Sequence, residues 1–418
     1  MRTVLDGILR RLITIGRLTV VWPDGSQSVY AGTDGPSAGF RLRNQQTIWR
    51  LVSHPSLALG EAYMSGSLFV DNDAVYDLLD VLLTNVEANP NGHPVVGWRD
   101  ALAAFSRRLA QYNPAGRSRR NVAHHYDLNG RLYSLFLDRD RQYSCAYFAR
   151  GNETLEDAQA AKKRHIAAKL CLDRPDLRVL DIGCGWGGMA LTLARDFGVR
   201  VTGITLSREQ LTEARARAAA EGLADRVRFE LVDYRSVKEK FDRVVSVGMF
   251  EHVGIGHYNT FFDTVARCLK PDGVALIHAI GRSDGAGTTN AWMRRYIFPG
   301  GYSPALSEVL PPVERSGLFA TDIEILRLHY AETLRHWRRR FAANRDAIAA
   351  LYDERFCRMF EFYLAASEVT FRRCGHMVWQ LQLQHEQGPV PLTRDYIGAI
   401  EAGRPVEAKV AATSPLRR

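Results

Sequence analysis

The sequence has no long hydrophobic run and few cysteines, and each shortage excludes a class of protein. No apolar run approaches the roughly 18 residues that a membrane-spanning helix needs, so we expect no spanning segment. The six cysteines are scattered and form no CxxC pair, which argues against a zinc site or a disulfide framework and favours reduced thiols in a cytoplasmic protein. The opening residues are basic and apolar by turns, which predicts an amphipathic helix. They contain neither the sustained apolar segment nor the cleavage site of a secretion signal, so no such signal is expected.

What the chain does have is a globular composition and a surplus of positive charge. Its 418 residues, 46% hydrophobic and 24% charged, suffice for two or three domains and exclude wholesale disorder. The net charge of +9 indicates an anionic partner: nucleic acid, an anionic membrane surface and an acidic small molecule all remain open on charge alone. No metal site is expected, because adjacent His124 and His125 would point about 100° apart on a helix and no other cluster has ligand spacing.

Three regions differ in their sequence pattern. Residues 1–115 mix short strand-like runs with helical stretches and predict a small α+β domain. Residues 116–403 form the main domain. Between about 120 and 285, apolar β-rich runs alternate with amphipathic helices, which is typical of a parallel α/β sheet, and helices dominate afterwards. Residues 404–418 have little to bury and predict a flexible tail.

Five strands are predicted in the α/β region, the last of them after a turn at Lys270–Gly273. They are Arg178–Ile182, Val199–Ile204, Val227–Val232, Phe241–Val247 and Val274–Ala279. In a sheet of this kind, ligands bind beyond the carboxyl ends of the strands, near the point where the strand order reverses. The polar side chains predicted at those ends are Asp181, Thr205, Asp233, Glu251 and His278.

A glycine-rich loop, GCGWGG at residues 183–188, directly follows the first of these strands. Glycines in this place also occur in dinucleotide-binding folds, where a pyrophosphate meets a helix N-terminus. Here Asp181 stands immediately before the turn in a D-x-G-x-G-x-G pattern, and its carboxylate suits the cationic methionyl end of S-adenosylmethionine. We therefore predict an S-adenosylmethionine site. Its contacts are expected from Asp181, Gly183, Cys184, Gly185, Gly187, Thr205, Leu206, Gln210, Asp233 and Tyr234.

Further motifs extend well beyond this loop. In chain order they include YSCAYF at 143–148, VLDIGCGWGG at 179–188, GITLSREQ at 203–210, MFEHVG at 249–254 and LIHAIG at 276–281. In this order they resemble the cyclopropane-fatty-acyl-phospholipid synthases and the related mycolic acid cyclopropane synthases. SLALGEAYMSG at 56–66 resembles the small preceding domain of the bacterial phospholipid enzymes, most of which the mycolic-type members lack. The resemblance therefore covers nearly the whole chain and favours the phospholipid branch.

The resemblance implies a class I S-adenosylmethionine-dependent methyltransferase, with a Rossmann-like sheet, helical lipid-binding insertions and a small N-terminal α+β domain. It implies transfer of a methylene group to the cis double bond of unsaturated phospholipid acyl chains, giving cyclopropane fatty acids. It adds Tyr143 and Ser144 to the cofactor contacts. The base that removes the last proton is implied to be a bound bicarbonate ion. The residues implied at its site are Cys145, Glu251, His278, Ile280 and Tyr330.

The chemistry requires a dry acyl channel, aromatic faces that stabilise a carbocation and a positioned base. Phe356, Phe360, Tyr363, Ser367 and Phe371 follow helical spacing and share one face. Ser367 stands where some family members have a cysteine, and we expect it to face an aromatic-walled cavity without acting as a nucleophile. Aromatic residues are also dense in the motif segments: Tyr143, Tyr147, Phe148, Phe250, Tyr258, Phe261, Phe262, Tyr302 and Tyr330.

The expected partner is a membrane phospholipid, which the protein would bind peripherally at the inner face of the membrane. Formation of a homodimer is left open. Basic clusters predict contacts with lipid phosphate, since each lysine or arginine near an anionic leaflet gains about 1 kcal/mol. These clusters are Arg117–Arg120, Lys162–Arg164, Arg294-Arg295 and Arg338–Arg340. No nucleic-acid partner is expected, because no RRM, KH or OB-type signature accompanies the charge.

Three other functions remain as alternatives. A related fatty-acyl C-methyltransferase would leave a methyl-branched or methylene product, because proton loss and hydride shift start from the same cation. A methyltransferase acting on RNA would use the positive charge. A lipid-binding protein that keeps the fold without turnover would show damage in the cofactor loop or among the base residues, and the sequence shows none.

Overall fold

The chain begins with a four-stranded sheet, in the computed structural model that describes residues 1–89 and 130–404. Its elements are α1 (Arg2–Leu12), β1 (Ile15–Val21), β2 (Gln27–Ala31), β3 (Thr33–Leu42), α2 (Gln45–Ser53), α3 (Pro55–Met64), β4 (Leu68–Val70) and α4 (Val75–Ala88). The strand order is β2-β1-β3-β4, and β1 runs parallel to β3. Leu5 and Leu9 form the buried face of α1, as expected of an amphipathic helix. The mixture of α and β structure predicted for this region is confirmed.

A seven-stranded sheet forms the centre of the main region. Its strands are β5 (Arg178–Ile182), β6 (Arg200–Thr205), β7 (Val227–Leu231), β8 (Phe241–Val247), β9 (Leu269–Arg282), β10 (Phe319–Ile325) and β11 (His376–Gln384). The order is β10-β11-β9-β8-β5-β6-β7, and β11 runs antiparallel to both of its neighbours, β10 and β9. The chain goes outward from β5 to β6 and β7 and then returns to β8 on the other side of β5. The order therefore reverses between β5 and β8, and the ligand crevice is expected at their carboxyl ends.

The predicted strands are confirmed, but the last is longer than expected. β9 runs through Lys270–Gly273, so the predicted turn is wrong, and a register shift between Phe241 and Arg243 on β8 absorbs the extra residues. Two further strands, β10 and β11, lie where helices were expected to dominate. β11 is a central strand whose polar residues are buried, and this polarity hides it in the sequence. Those residues are Gln380, Gln382 and Gln384.

Helices cover both faces of this sheet and join it to the N-terminal region. They are α5 (Gly130–Phe136), α6 (Leu155–Lys169), α7 (Gly188–Phe197), α8 (Arg208–Ala220), α9 (Tyr258–Cys268), α10 (Ala291–Tyr296), α11 (Leu306–Arg315), α12 (His329–Ala343), α13 (Arg345–Leu351), α14 (Glu354–Arg373) and α15 (Asp395–Glu401). α14 packs against α12 and also against α3 and α4. Arg373 at its end pairs with Asp80 of α4 at 2.7 Å. The N-terminal helices and the late helices therefore share one hydrophobic core.

Several predicted features lie outside the described residues: the domain boundary at 115–116, His124 and His125, the basic cluster Arg117–Arg120, and 405–418 of the tail. Within residues 1–89 and 130–404, none of the helices has both the length and the apolar character that a membrane span requires.

Candidate active site

The glycine loop turns sharply between β5 and α7, and its glycines have distinct tasks. Gly183, Gly185 and Gly187 all have positive φ, at 84°, 54° and 86°. A side chain on Gly187 would clash, because its Cβ would lie 2.7 Å from the ring of Phe229. A Cβ on Gly185 would meet nothing within 4 Å, because this residue faces an open cavity. The loop thus leaves a backbone-lined space at the carboxyl end of β5.

This first cavity is bordered by ten of the twelve predicted cofactor residues. They are Tyr143, Ser144, Asp181, Gly183, Cys184, Gly185, Thr205, Leu206, Gln210 and Tyr234. Gly187 and Asp233 are not part of the lining. Gly187 is the N-cap of α7, and the carboxylate of Asp233 is held by the guanidinium of Arg235 at 2.8 and 2.6 Å. Arg235 itself lines the cavity and was not among the predicted contacts.

The buried carboxylate of Asp181 gives this cavity its charge preference. Its side chain is 2% exposed, and Oδ2 has no hydrogen-bond partner in the part of the chain that the structure describes. Burial raises the pKa of Asp181 to about 7. An unpaired buried carboxylate is costly, so the cavity favours a cationic ligand. S-adenosylmethionine fits this demand, because it carries cationic groups and has no phosphate for the loop to bind.

Thr205 and Gln210 form a rigid edge of the same cavity. Ser207 and Gln210 have the spacing of a capping box in the sequence. Ser207 does cap α8, since its hydroxyl accepts from the backbone N–H of Gln210 at 3.3 Å. The side chain of Gln210 does not complete a capping box. Instead its Oε1 accepts from the Thr205 hydroxyl at 2.8 Å, and the same hydroxyl oxygen accepts from the Ser207 N–H at 3.1 Å. Both cavity side chains are therefore fixed before any ligand arrives.

A second and larger cavity of about 330 Å³ lies beside the first. Its walls are mostly apolar and come from α3, α4, α10, α12 and α14, so the N-terminal region contributes directly to it. Ser367 lines it, as expected from the face of α14 that also carries Tyr363 and Phe371. The sequence did not indicate the N-terminal contribution, because it arises from long-range packing. The apolar residues concerned are Pro55, Leu59, Leu79 and Leu83.

The predicted aromatic residues divide between this cavity and the core. Tyr143, Tyr302 and Tyr330 line the second cavity. Tyr147 stacks between His165 and His329, with ring centroids 4.3 and 4.9 Å away. The others among the sheet motifs pack in the hydrophobic core: Phe250, Tyr258, Phe261 and Phe262.

The five residues predicted to hold a base all line the second cavity: Cys145, Glu251, His278, Ile280 and Tyr330. Glu251 lies in a short 3-10 turn after β8, and its Oε1 accepts from the backbone N–H of Ile280 at 2.6 Å. Its Oε2 is buried and has no hydrogen-bond partner among the residues described. Burial raises the pKa of Glu251 to about 7.

His278 and Cys145 are neutral neighbours of this carboxylate. His278 was expected at the end of its strand, but β9 continues beyond it to Arg282. The neighbouring strand β8 does end there, because Val247 pairs with His278 as the last pair of the two strands. Its Nδ1 lies 3.2 Å from Nε2 of Gln380, so the amide donates and the ring proton is placed on Nε2. Burial lowers the pKa of His278 well below its usual value and raises that of the Cys145 thiol.

The two cavities meet at a shared wall. Tyr143, Ser144, Gly248 and His252 line both of them. The Tyr143 hydroxyl lies 2.9 Å from that of Tyr363 on α14, which ties the wall to the late helices. Burial lowers the pKa of His252 to about 4, so its ring is neutral. The first cavity and the apolar second cavity are therefore immediate neighbours.

A cavity with an unpaired buried carboxylate beside an apolar cavity, at the point where the strand order reverses, is the arrangement that an S-adenosylmethionine-dependent methyltransferase needs. Comparison with known proteins supports this class and narrows it. The family model described as mycolic acid cyclopropane synthetase matches residues 114–381, and a model described as a domain of unknown function matches residues 4–89. The chain therefore belongs to the mycolic acid cyclopropane synthetase family.

Individual relatives agree with this assignment. Cyclopropane-fatty-acyl-phospholipid synthase of Escherichia coli (strain K12) is 39% identical over 344 residues, which are 82% of this chain and 87% of that protein. Tuberculostearic acid methyltransferase of Mycobacterium tuberculosis is 35% identical over 399 residues, 92% of each chain. The crystal structure of mycolic acid cyclopropane synthase CmaA1 with SAH and CTAB has a TM-score of 0.61 at 33% identity, covering 65% of this chain and 99% of that one. The predicted family, fold class and enzyme class are confirmed.

Proposed function

We propose that this methyltransferase acts on unsaturated lipids and converts the cis double bond of phospholipid acyl chains into a cyclopropane ring. The observation that carries the proposal is the shared wall, which separates a cofactor cavity with an unpaired carboxylate from an apolar cavity with a second one. The relatives named above are, by their names, a cyclopropane-fatty-acyl-phospholipid synthase and a tuberculostearic acid methyltransferase. Both names refer to fatty acyl groups, and an acyl chain needs an apolar channel of this kind.

The apolar cavity supports this chemistry by excluding water and presenting aromatic faces. S-adenosylmethionine supplies an electrophilic methyl group, and its addition to an alkene leaves a positive charge on the acyl chain. Tyr143, Tyr330 and Phe371 line the cavity where that charge would be stabilised. Each aromatic face contributes roughly 0.5–2 kcal/mol to a nearby cation. Ring closure then needs removal of one proton from the transferred methyl group.

We propose that a bicarbonate ion is held for this last step by the five residues that line the second cavity. The residues fit such an ion. Oε2 of Glu251 is available to accept from a protonated oxyanion, and Nε2–H of His278 can donate to it. Bicarbonate would supply a small base that reaches a proton beyond the range of a side chain fixed on a strand. Tyr330 and the backbone of Cys145 and Ile280 would complete its surroundings.

Removal of dissolved carbonate tests the base directly. We expect the purified enzyme to turn over slowly on unsaturated phospholipid vesicles in carbonate-free buffer and to recover when bicarbonate is added. Chloride added to the same ionic strength is the control and should not restore turnover. If the turnover rate were the same with and without carbonate, another group would have to remove the proton. The proposal of methyl transfer to the acyl chain would not be affected by that result.

The structure changes the expected membrane surface. The cluster Lys162–Arg164 does not form a surface patch, because Lys162 and Lys163 are buried. Arg338 and Arg340 are engaged with Glu368 and Glu156, at 2.9 and 2.6 Å. Arg294 and Arg295 are both exposed, on the helix α10 whose Trp292 and Met293 line the acyl cavity. Arg295 also pairs with Glu61 at 3.2 Å, but its side chain stays 61% exposed, so the charge of this cluster remains at the surface.

We propose that these two arginines meet lipid phosphate at the membrane surface. The double variant Arg294→Glu, Arg295→Glu should bind anionic vesicles at least about tenfold more weakly, and wild-type binding should fall steeply as salt is raised. Sedimentation with anionic and neutral vesicles measures both effects. The matched control is the double variant Lys238→Glu, Lys240→Glu, which reverses the charge of two exposed residues. These residues lie before β8, at the opposite end of the sheet. Equal losses in both double variants would rule out α10 as the docking surface.

A further inference from the structure

Helix α6 holds the shared wall in place through two side chains that lie one turn apart. We call residues 142–144, which form part of this wall, the strap. Gln159 donates from Nε2 to the carbonyl oxygens of Gln142 and Ser144, at 3.2 and 2.9 Å. Lys162 donates from Nζ to Oε1 of Gln142 and to Oγ of Ser144, both at 2.8 Å. Four hydrogen bonds therefore fix both the backbone and the side chains of the strap.

The ammonium group of Lys162 is an unusual element of this arrangement. Lys162 is 0% exposed, and no carboxylate forms an ion pair with it in the described parts of the chain. Burial lowers its pKa to about 8, so the charged form still dominates near neutral pH. The carboxylates of Asp138 and Asp140 favour the charged form from a distance without pairing with it, and a buried charge held in this way is costly unless the site gains from it. Burial raises the pKa of Asp181 and the ammonium opposes that rise, so its charge acts inside the cofactor cavity.

Ser144 connects the ammonium to the cavity. Its Oγ accepts from Lys162, so its own proton remains to be donated. Residues 1–89 and 130–404 offer no acceptor for that proton within hydrogen-bond distance. Ser144 lines the cofactor cavity, as does Asp181. A hydroxyl that accepts from an ammonium is a stronger donor, because hydrogen bonds in a chain polarise one another.

We propose that Lys162 is a positioning residue for the cofactor: acting through Ser144, it directs a hydrogen-bond donor to the methionyl carboxylate of S-adenosylmethionine. Asp181 then accounts for the cationic part of the same ligand, and the cavity recognises both charges. The proposal rests on the methyltransferase activity alone and is independent of the lipid product and of bicarbonate.

Calorimetric titration with two ligands tests the proposal. Decarboxylated S-adenosylmethionine lacks the carboxylate and keeps the sulfonium and the amine. We expect Lys162→Met to weaken the binding of S-adenosylmethionine about tenfold or more, the scale of a lost hydrogen bond to a charged group. Binding of the decarboxylated ligand should stay within about twofold of wild type. Arg164→Met, which removes a charge from the exposed face of the same helix, should change neither affinity.

Each other outcome overturns the proposal. An equal loss for both ligands would mean that Lys162 merely supports the fold of the strap. A normal affinity for S-adenosylmethionine, with more bicarbonate needed for half-maximal turnover, would assign Lys162 to a different anion. If Lys162→Met does not fold, Ser144→Ala provides the same comparison with the ammonium left in place. Unchanged affinities of that variant for both ligands would equally contradict the role of the hydroxyl.

Discussion

Replacing Glu251 by glutamine should lower turnover about 10²-fold or more, the usual effect of removing a positioned acid–base group. Glutamine keeps the size of the side chain, and its amide oxygen can still accept from the backbone N–H of Ile280. It cannot supply the negative charge that Oε2 presents to the acyl cavity. S-adenosylmethionine should bind normally, because Asp181 and the glycine loop are untouched. Turnover on unsaturated phospholipid vesicles and calorimetric cofactor binding measure the two effects separately.

Ser367→Ala is the matched comparison in the same cavity. Ser367 lines the acyl cavity, but the reaction requires no covalent intermediate, so this variant should keep most of its activity. An inactive Ser367→Ala together with a normal Glu251→Gln would contradict the proposed mechanism for this protein.

The stability of Glu251→Gln separates loss of chemistry from loss of fold. Burial raises the pKa of Glu251 from 4.5 to about 7, so the ionised form destabilises the folded state. Below the unfolded pKa both states are protonated and the penalty vanishes, whereas above about 7 it is fully present, on the order of 3 kcal/mol. Glutamine removes this penalty. The variant should therefore unfold at a higher temperature than wild type at about pH 8 and lose that advantage near pH 4.

Gly185→Val should abolish binding of S-adenosylmethionine. Gly185 has a φ of 54°, a conformation that a β-branched residue adopts only under strain, and its missing side chain leaves the cofactor cavity open. A valine would occupy that space, and calorimetry should detect no cofactor binding.

Gly222→Val is the control for backbone strain. Gly222 follows α8 with a φ of 67°, has open space where a Cβ would lie, and does not line the cofactor cavity. It should lose some stability but bind the cofactor normally. Equal affinities of Gly185→Val and wild type would show that this loop does not hold the cofactor.

Local patterns were sufficient to predict the first cavity. Asp181 and the glycine loop are contiguous in sequence, and the following strand ends place Thr205 and Tyr234 at the same edge of a parallel sheet. Asp233 shares that position in sequence, yet its carboxylate turns to Arg235. The competition between a neighbouring guanidinium and a ligand cannot be read from spacing.

The second cavity depends on contacts that are distant in sequence. Leu59 and Leu83 reach it because α3 and α4 pack against α14, and no local pattern indicates which helices will meet. Lys162 looks like part of a surface cluster in the sequence, since its neighbours are Lys163 and Arg164. Its burial follows from the strap, whose polar groups supply the hydrogen bonds that a buried ammonium requires.

The fate of a labelled methyl group tests the proposed reaction most directly. The purified enzyme would receive unsaturated phospholipid vesicles and S-adenosylmethionine whose methyl group is fully deuterated, and the acyl chains would be examined by mass spectrometry and NMR. We predict a cyclopropane ring whose new carbon carries two deuterons, because the base removes the third as the ring closes. A methyl branch that keeps all three deuterons, or an exocyclic methylene group with no ring signals, would contradict cyclopropane formation by this protein.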